Sequence, residues 1–327
     1  MLVFLRRLPD PFHLTLPAGT RRLHFGWLLA LTVCVAACST PARIAQQLPT
    51  ETAAQTAQPP EKAQTETPAP NATPAILPTP TSSSAEPETS CPARIGRVEK
   101  SILRDPQLFR DMPFRVYLPP CYGEDPNQSY PTLYLLHGLQ STDAQWDESG
   151  VDETADALIS SGTLPPFIIV MPWHRTGIDL TQAIPEILLP HIEQNYAARP
   201  DRAYRAIGGV SKGGGQALEI GLKYPHLFEA VGMHSPAVQY LDAVIVEWAL
   251  NIPPDERPTL WIDIGLRDSL YPAAESLIDK LQGNSIPITI QINEGDHLAE
   301  YWQAHLEGYL RWYASNWQRE SLKNTIE

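Results

Sequence analysis

The apolar and polar positions divide the chain into three parts. Residues 25–37, "FGWLLALTVCVAA", form an apolar run. Residues 39–90 carry Pro, Thr, Ala, Gln and Ser, with almost no aromatic residues and no helical or strand period. From about residue 91, short apolar runs alternate with stretches of helical spacing. "RVYLPP" (115–120), "TLYLLHG" (132–138), "FIIVMP" (167–172), "YRAIGGV" (204–210), "AVGMHS" (230–235), "LWIDIG" (260–265) and "ITIQINE" (288–294) read as strands. "LTQAIPEILLPHIEQNY" and "AAESLIDKLQ" carry the spacing of amphipathic helices. Buried strands alternating with such helices predict an α/β domain, a mostly parallel sheet with helices on both faces. "RVYLPP" and "TLYLLHG" have no helix between them and are expected to pair antiparallel at one edge.

The apolar run is shorter than the roughly 20 residues of a spanning helix, and Arg6, Arg7, Arg21 and Arg22 precede it. That combination fits a secretory signal. The run leads into "VAAC", an aliphatic residue and two small ones before a cysteine, which resembles the processing site of bacterial lipoproteins. On that resemblance residues 1–37 are a signal peptide and Cys38 is acylated. An ordinary signal peptide or an uncleaved anchor is the alternative. Residues 38–90 cannot bury enough apolar surface to offset their ordering entropy and are expected to be a disordered tether. One domain then spans 91–327.

Charge narrows the partners. The net charge is −13, and loss of residues 1–37, with four arginines and one aspartate, makes it more negative still. Nucleic acid and anionic lipid select basic surfaces, so both are excluded as partners. Membrane contact is expected only through the lipid anchor. Of the four cysteines, Cys34 would leave with the signal and Cys38 would carry lipid. Cys91 and Cys121 remain, and in an exported domain such a pair is expected to form a disulfide, two separate thiols being the alternative.

The candidate chemistry centres on "GGVSKGGGQAL", residues 208–218. Gly209-Val210-Ser211-Lys212-Gly213 is a G-x-S-x-G motif directly after a predicted strand and at the start of a predicted helix, the context of a nucleophile elbow. A serine hydroxyl is a weak nucleophile and needs an adjacent base held by a third group. Asp268 follows "LWIDIG" and His297 follows "ITIQINE", so Ser211, Asp268 and His297 each stand just past a strand end, in the order acid then histidine. Asp263, inside its strand, reads as structural, Asp296 as a loop carboxylate, His305 as packing or surface, and His234 as a possible pocket residue. An oxyanion needs amide donors. The Lys212 N–H is one candidate and that of Leu139, after "LLHG", the other. His137 reads as a buried loop histidine bonded to backbone.

"YLPPCY", "YPTLYLLHGLQ", "PEILLPHIEQNY", "RAIGGVSKGG", "IGLRD" and "GDHLAEYW" together resemble an esterase family of α/β-hydrolases. It includes esterase D, feruloyl and acetyl xylan esterases, enterochelin esterases and mycolyltransferases. The resemblance spans about residues 95–317. It implies an α/β-hydrolase fold, Ser211 as nucleophile, Asp268 as acid, His297 as base, and Leu139 and Lys212 amides as oxyanion hole, with no metal or cofactor and no large lid. Lys212 departs from the pattern, which often has methionine or leucine there. Its ammonium is expected to be solvated or ion-paired, with contact to an acidic substrate as the sharper reading. The expected function is ester hydrolysis of small or carbohydrate-linked substrates. Acyl transfer and a non-catalytic binding lipoprotein are the alternatives. Trp146, Trp173, His174, Tyr240 and Trp248 are candidates for an aromatic rim or for ordinary packing. Polyanionic substrates are expected to be poor unless Lys212 gives local relief.

Overall fold

The computed structural model describes residues 94–326. The signal peptide, Cys38, the tether and Cys91 lie outside them, so the lipid anchor and the Cys91–Cys121 bridge remain proposals. Eight strands form one sheet: β1 (Arg97–Leu103), β2 (Met112–Leu118), β3 (Thr132–Leu136), β4 (Ile168–Pro172), β5 (Arg205–Val210), β6 (Ala230–His234), β7 (Thr259–Gly265) and β8 (Thr289–Asn293). Their spatial order is β1-β2-β4-β3-β5-β6-β7-β8. β2 runs antiparallel to both its neighbours, and every other pairing is parallel. This is the α/β class expected.

One expected pairing is wrong. β2 pairs with β4, with Phe114 opposite Pro172, and β3 lies one strand further in. The chain leaves β3 through α1 (Gln145–Glu148) and α2 (Val151–Ser160), and returns as β4 between β2 and β3. The antiparallel partner at the edge is β1, "RVEKSIL", whose charged and half-exposed positions hide it from an apolar-run reading. Such charges also blunt an edge strand against unwanted pairing.

The interior strands β3, β4, β5 and β6 are buried at every position because both faces are covered. Tyr134 and Leu136 of β3 join the core under α3 (Leu180–Ala183), α4 (Leu189–Asn195), α5 (Lys212–Lys223), α6 (Asp242–Asn251) and α7 (Tyr271–Gly283). Leu133 and Leu135 face the other core, with Trp146, Val151 of α2 and the aromatic stripe of α8 (Ala299–Ile326). The predicted helix over 180–196 is α3 and α4 joined by a π-helical turn, Ile184–Leu188. Pro185 and Pro190 lack the N–H that a regular α-helical ladder would use there.

Candidate active site

The loops after the carboxyl ends of β3, β4, β5, β7 and β8 converge on Ser211. At the end of β5 the backbone turns sharply, and Ser211 sits at φ 57°, ψ −120°, immediately before α5. A non-glycine residue in that region is strained and persists only where its surroundings hold it. Three hydrogen bonds do so: Ser211 N–H donates to the His234 carbonyl at 2.9 Å, and the Ser211 carbonyl accepts from Ala237 at 2.9 Å and Gly215 at 3.2 Å. Strand and helix then approach too closely for side chains. A Cβ on Gly209 would stand 2.6 Å from the Gly213 carbonyl carbon, and one on Gly213 would run into the Leu136 carbonyl oxygen. That crowding is why glycines surround the serine.

Ser211 Oγ lies 2.9 Å from His297 Nε2. On the other side of the ring, Nδ1 lies 2.8 Å from Asp268 Oδ2 and 3.0 Å from Oδ1. A carboxylate only accepts, so Nδ1 carries the proton and Nε2 is free to take the serine's. Asp268 is buried. Burial pushes its carboxyl pKa up, but hydrogen bonds from His297, the Leu270 amide (2.8 Å) and Ser235 outweigh this and hold it below the usual carboxylate value. His297 packs edge-on against Trp302, whose indole N–H donates to Ser235 Oγ at 3.1 Å.

The loop after β3 is held by a chain of hydrogen bonds. Gln216 Nε2 donates to His174 Nδ1 at 3.2 Å, and the His174 amide donates to His137 Nε2 at 2.8 Å. With Nε2 accepting, His137 is neutral and its Nδ1–H donates to the Gly138 carbonyl at 2.7 Å. The Gly138 amide in turn donates to Gln145 Oε1 at 2.7 Å. Burial keeps the pKa of both histidines below the ordinary imidazole value, against hydrogen bonds to backbone carbonyls that raise it, and nearby Lys212 lowers it further. The loop therefore keeps one tautomer and one shape near neutrality. Gly138 packs beside Ser211, since a Cβ on it would lie 3.6 Å from the serine Cβ. Lys212 is the first residue of α5, so its amide has no intrahelical acceptor.

These loops border a cleft of about 470 Å³ lined by His137, Leu139, Trp173, His174 and Lys212 among others. Among the described residues, two hollows of about 490 and 640 Å³ elsewhere border none of the groups around Ser211. Ser211, Asp268 and His297 thus meet in one hydrogen-bonded row, while Leu139 and Lys212 stand together at the cleft. Asp263 is buried against His234, and Asp296 pairs with Arg267 on the surface. His305 binds the Tyr301 carbonyl of its own helix. His234 does not line the cleft; it lies fully buried, its carbonyl accepting from the Ser211 amide. Of the aromatic candidates, Trp173 and His174 border the cleft. Trp146 is core, its N–H donating to the Leu136 carbonyl, Tyr240 is fully in solvent, and Trp248 packs beside Lys223. Lys212 is half-buried, and among the described residues no carboxylate pairs with it. Gln145 and Gln216 carry no spacing signal that would have singled them out.

The family described as Putative esterase matches residues 106–313. An endo-1,4-beta-xylanase/feruloyl esterase of Xylanibacter ruminicola is 31% identical over 136 residues, 37% of this chain and 19% of that protein. Endo-1,4-beta-xylanase Y of Acetivibrio thermocellus is 30% identical over 115 residues, 30% of this chain and 10% of that protein. The matched part is thus about a fifth or less of these curated relatives' length. Among solved structures, a ferulic acid esterase superposes with a TM-score of 0.62 at 25% identity, over 68% of this chain and 99% of its own. An S-formylglutathione hydrolase from Staphylococcus aureus gives 0.56 at 19% identity, over 67% and 99%, a likeness of fold. The fold is that of the α/β-hydrolases.

Proposed function

The chain belongs to the Putative esterase family, and on that premise we propose that it is a serine carboxylic-ester hydrolase working through Ser211, His297 and Asp268. The row of hydrogen bonds from Ser211 Oγ through His297 to Asp268 carries this reading. His297 Nε2 takes the hydroxyl proton as Ser211 Oγ attacks the ester carbonyl carbon. Asp268 keeps the proton on Nδ1 and offsets the charge of the imidazolium. The Leu139 and Lys212 amides receive the developing oxyanion. On collapse the C–O bond to the alcohol breaks, and His297 gives the alcohol oxygen its proton. Water, deprotonated by the same nitrogen, then attacks the acyl-enzyme and releases the acid and the serine.

The proposed substrates are small or carbohydrate-linked esters. The feruloyl esterase part of a relative's name and the half-buried Trp173 at the cleft support this class. The proposed setting is outside the cytoplasmic membrane, held by lipid on Cys38. A fluorophosphonate probe tests the chemistry: the wild type should be labelled and Ser211→Ala should not. A folded wild type that ignores both the probe and a panel of acetyl and feruloyl esters would refute the reading.

A further inference from the structure

The cleft beside Ser211 is positively charged on a strongly negative protein. Arg110, Arg175 and Lys212 line it, and none of its lining residues is an aspartate or glutamate. The chain as a whole carries −13, so a cleft with three cations and no carboxylate runs against its composition. Elsewhere many arginines are neutralised, Arg115 by Asp143 and Asp147, Arg202 by Glu229, Arg205 by Glu193, Arg267 by Glu294 and Asp296, while Arg257 is held by the Ala249 and Ile252 carbonyls and Arg199 lies over the Tyr204 ring. Among the described residues, none of the three cleft cations has a carboxylate partner.

Their placement is held without neutralisation. Arg175 lies over the Trp173 ring at 5.1 Å and donates through Nη1 to the Asp111 carbonyl at 3.2 Å, which leaves other guanidinium donors open. Arg110 lies over Phe109 at 5.3 Å. Partial burial lowers the Lys212 pKa, and Lys212 stands at the amino end of a twelve-residue helix, where the helix field already disfavours a cation. Both neighbouring histidines are neutral, so they add no charge of their own near neutral pH. Asp143 and Asp179 act on His137 and His174 from outside the lining, but the three cations of the lining outnumber them. A net positive field of this kind favours an anion, and a planar carboxylate matches a guanidinium fork.

Resting on the esterase reading above, we propose that this cleft is an anion subsite, and that the preferred substrates are esters carrying a carboxylate a few bonds from the scissile carbonyl. A cleft of about 470 Å³ has the size of a small ligand site. The carboxylate would sit against Arg175 and Lys212, with Arg110 at the outer lip, while the ester carbonyl reaches Ser211.

The test uses carboxylate and carboxamide pairs, which are close in shape and differ in charge. 4-Acetoxybenzoate against 4-acetoxybenzamide puts the charge on the alcohol half. Methyl hydrogen succinate against methyl succinamate puts it on the acyl half. In at least one pair the carboxylate should win in kcat/KM by about tenfold or more, the scale of a charge-assisted hydrogen bond. That ratio should shrink from 20 to 500 mM NaCl, and Arg175→Gln should collapse it mainly through KM, with Arg110→Gln as the second variant if the first fails to fold. Calorimetry on Ser211→Ala with the winning pair should show the same preference in Kd without turnover. Hydrolysis of both members of each pair at equal rates, with equal Kd, would overturn the subsite and leave the esterase standing. No hydrolysis of any of the four, nor of 4-nitrophenyl acetate, by folded protein would overturn the esterase reading and the subsite with it.

Discussion

Asp263 Oδ1 lies 2.6 Å from His234 Nδ1, and both side chains are fully buried. Asp268, further along the same chain, makes the equivalent contact with His297. These are two aspartate–histidine pairs among the described residues, and the far nitrogen of each ring separates them. His297 Nε2 meets Ser211 Oγ, whereas His234 Nε2 meets the Tyr313 hydroxyl at 3.0 Å. Tyr309 donates to Asp263 Oδ2 at 2.9 Å and stacks on His234, so the inner pair is satisfied on every side within the core.

Substitution should separate the two. Asp268→Asn and His297→Ala should each lower kcat by about 10⁴ in protein that remains folded. Asp263→Asn leaves an amide among groups that were bonding to a buried carboxylate, and should destabilise by about 3 kcal/mol. The Asp263→Asn protein that remains folded should still turn over at a rate well above that of Asp268→Asn. Thermal melts beside kcat, normalised to fluorophosphonate-titratable sites where serine remains reactive, check both. Normal kinetics in Asp268→Asn would move the acid elsewhere.

At the elbow, Ser211→Ala should abolish hydrolysis and keep the fold, because removing Oγ disturbs none of the three backbone bonds that hold the turn. Gly213→Ala should do the opposite kind of damage. Its Cβ would collide with the Leu136 carbonyl, a backbone atom that cannot swing aside. A clear loss of stability is expected together with lost activity. Circular dichroism and melting curves on the two variants distinguish them, and an unperturbed, active Gly213→Ala would refute the close approach.

Much of this site was legible in the sequence because its parts are local. Ser211 lies between glycines at a strand–helix junction, and Asp268 and His297 each follow an apolar run. The sheet order was less so. β1 is half-exposed, with Glu99, Lys100 and Ser101 in succession and no apolar run, and nothing in the chain says that β4 returns between β2 and β3. Asp263 was legible as structural from its place inside a strand, whereas His234, at the end of an apolar run, was not: only the three-dimensional pairing shows that it meets Asp263 and that Tyr309 and Tyr313 reach the pair from α8. The charged cleft was out of reach, since Arg110, Arg175 and Lys212 come from three separate segments.

The histidine chain that holds the loop after β3 gives a pH dependence with a definite sign. Burial holds His137 and His174 below the ordinary value of 6.5 in the folded protein. On acidification the unfolded chain takes up these protons first. The stabilisation is therefore complete above about pH 6.5 and is lost progressively as pH falls below it. Denaturant midpoints measured from pH 8 to 5 should decline across the lower half of that range. His137→Gln, which removes one of the two titrating groups, should flatten the decline. A midpoint that rises on acidification from pH 7 to 5 would contradict the neutral assignment.

The exported reading makes two predictions for one membrane preparation. Cys38 follows a signal-like run, and some fifty residues rich in proline separate it from the folded domain. A flexible chain of that length spans roughly 40 Å, and proline extends it, so the cleft would stand clear of a lipid surface and meet soluble or wall-attached esters. Wild type should fractionate with membranes, and Cys38→Ser should be released; a membrane-bound Cys38→Ser would remove the lipid anchor. Cys121 sits half-buried just past β2, and a bond to Cys91 would pin the end of the tether to that edge of the sheet. Closing a loop of about 30 residues contributes on the order of 3 kcal/mol by loop entropy. In the unreduced protein neither cysteine should take up an alkylating reagent, both should after reduction, and Cys121→Ser should melt several degrees lower. Two alkylated thiols in the unreduced exported protein would exclude the bridge.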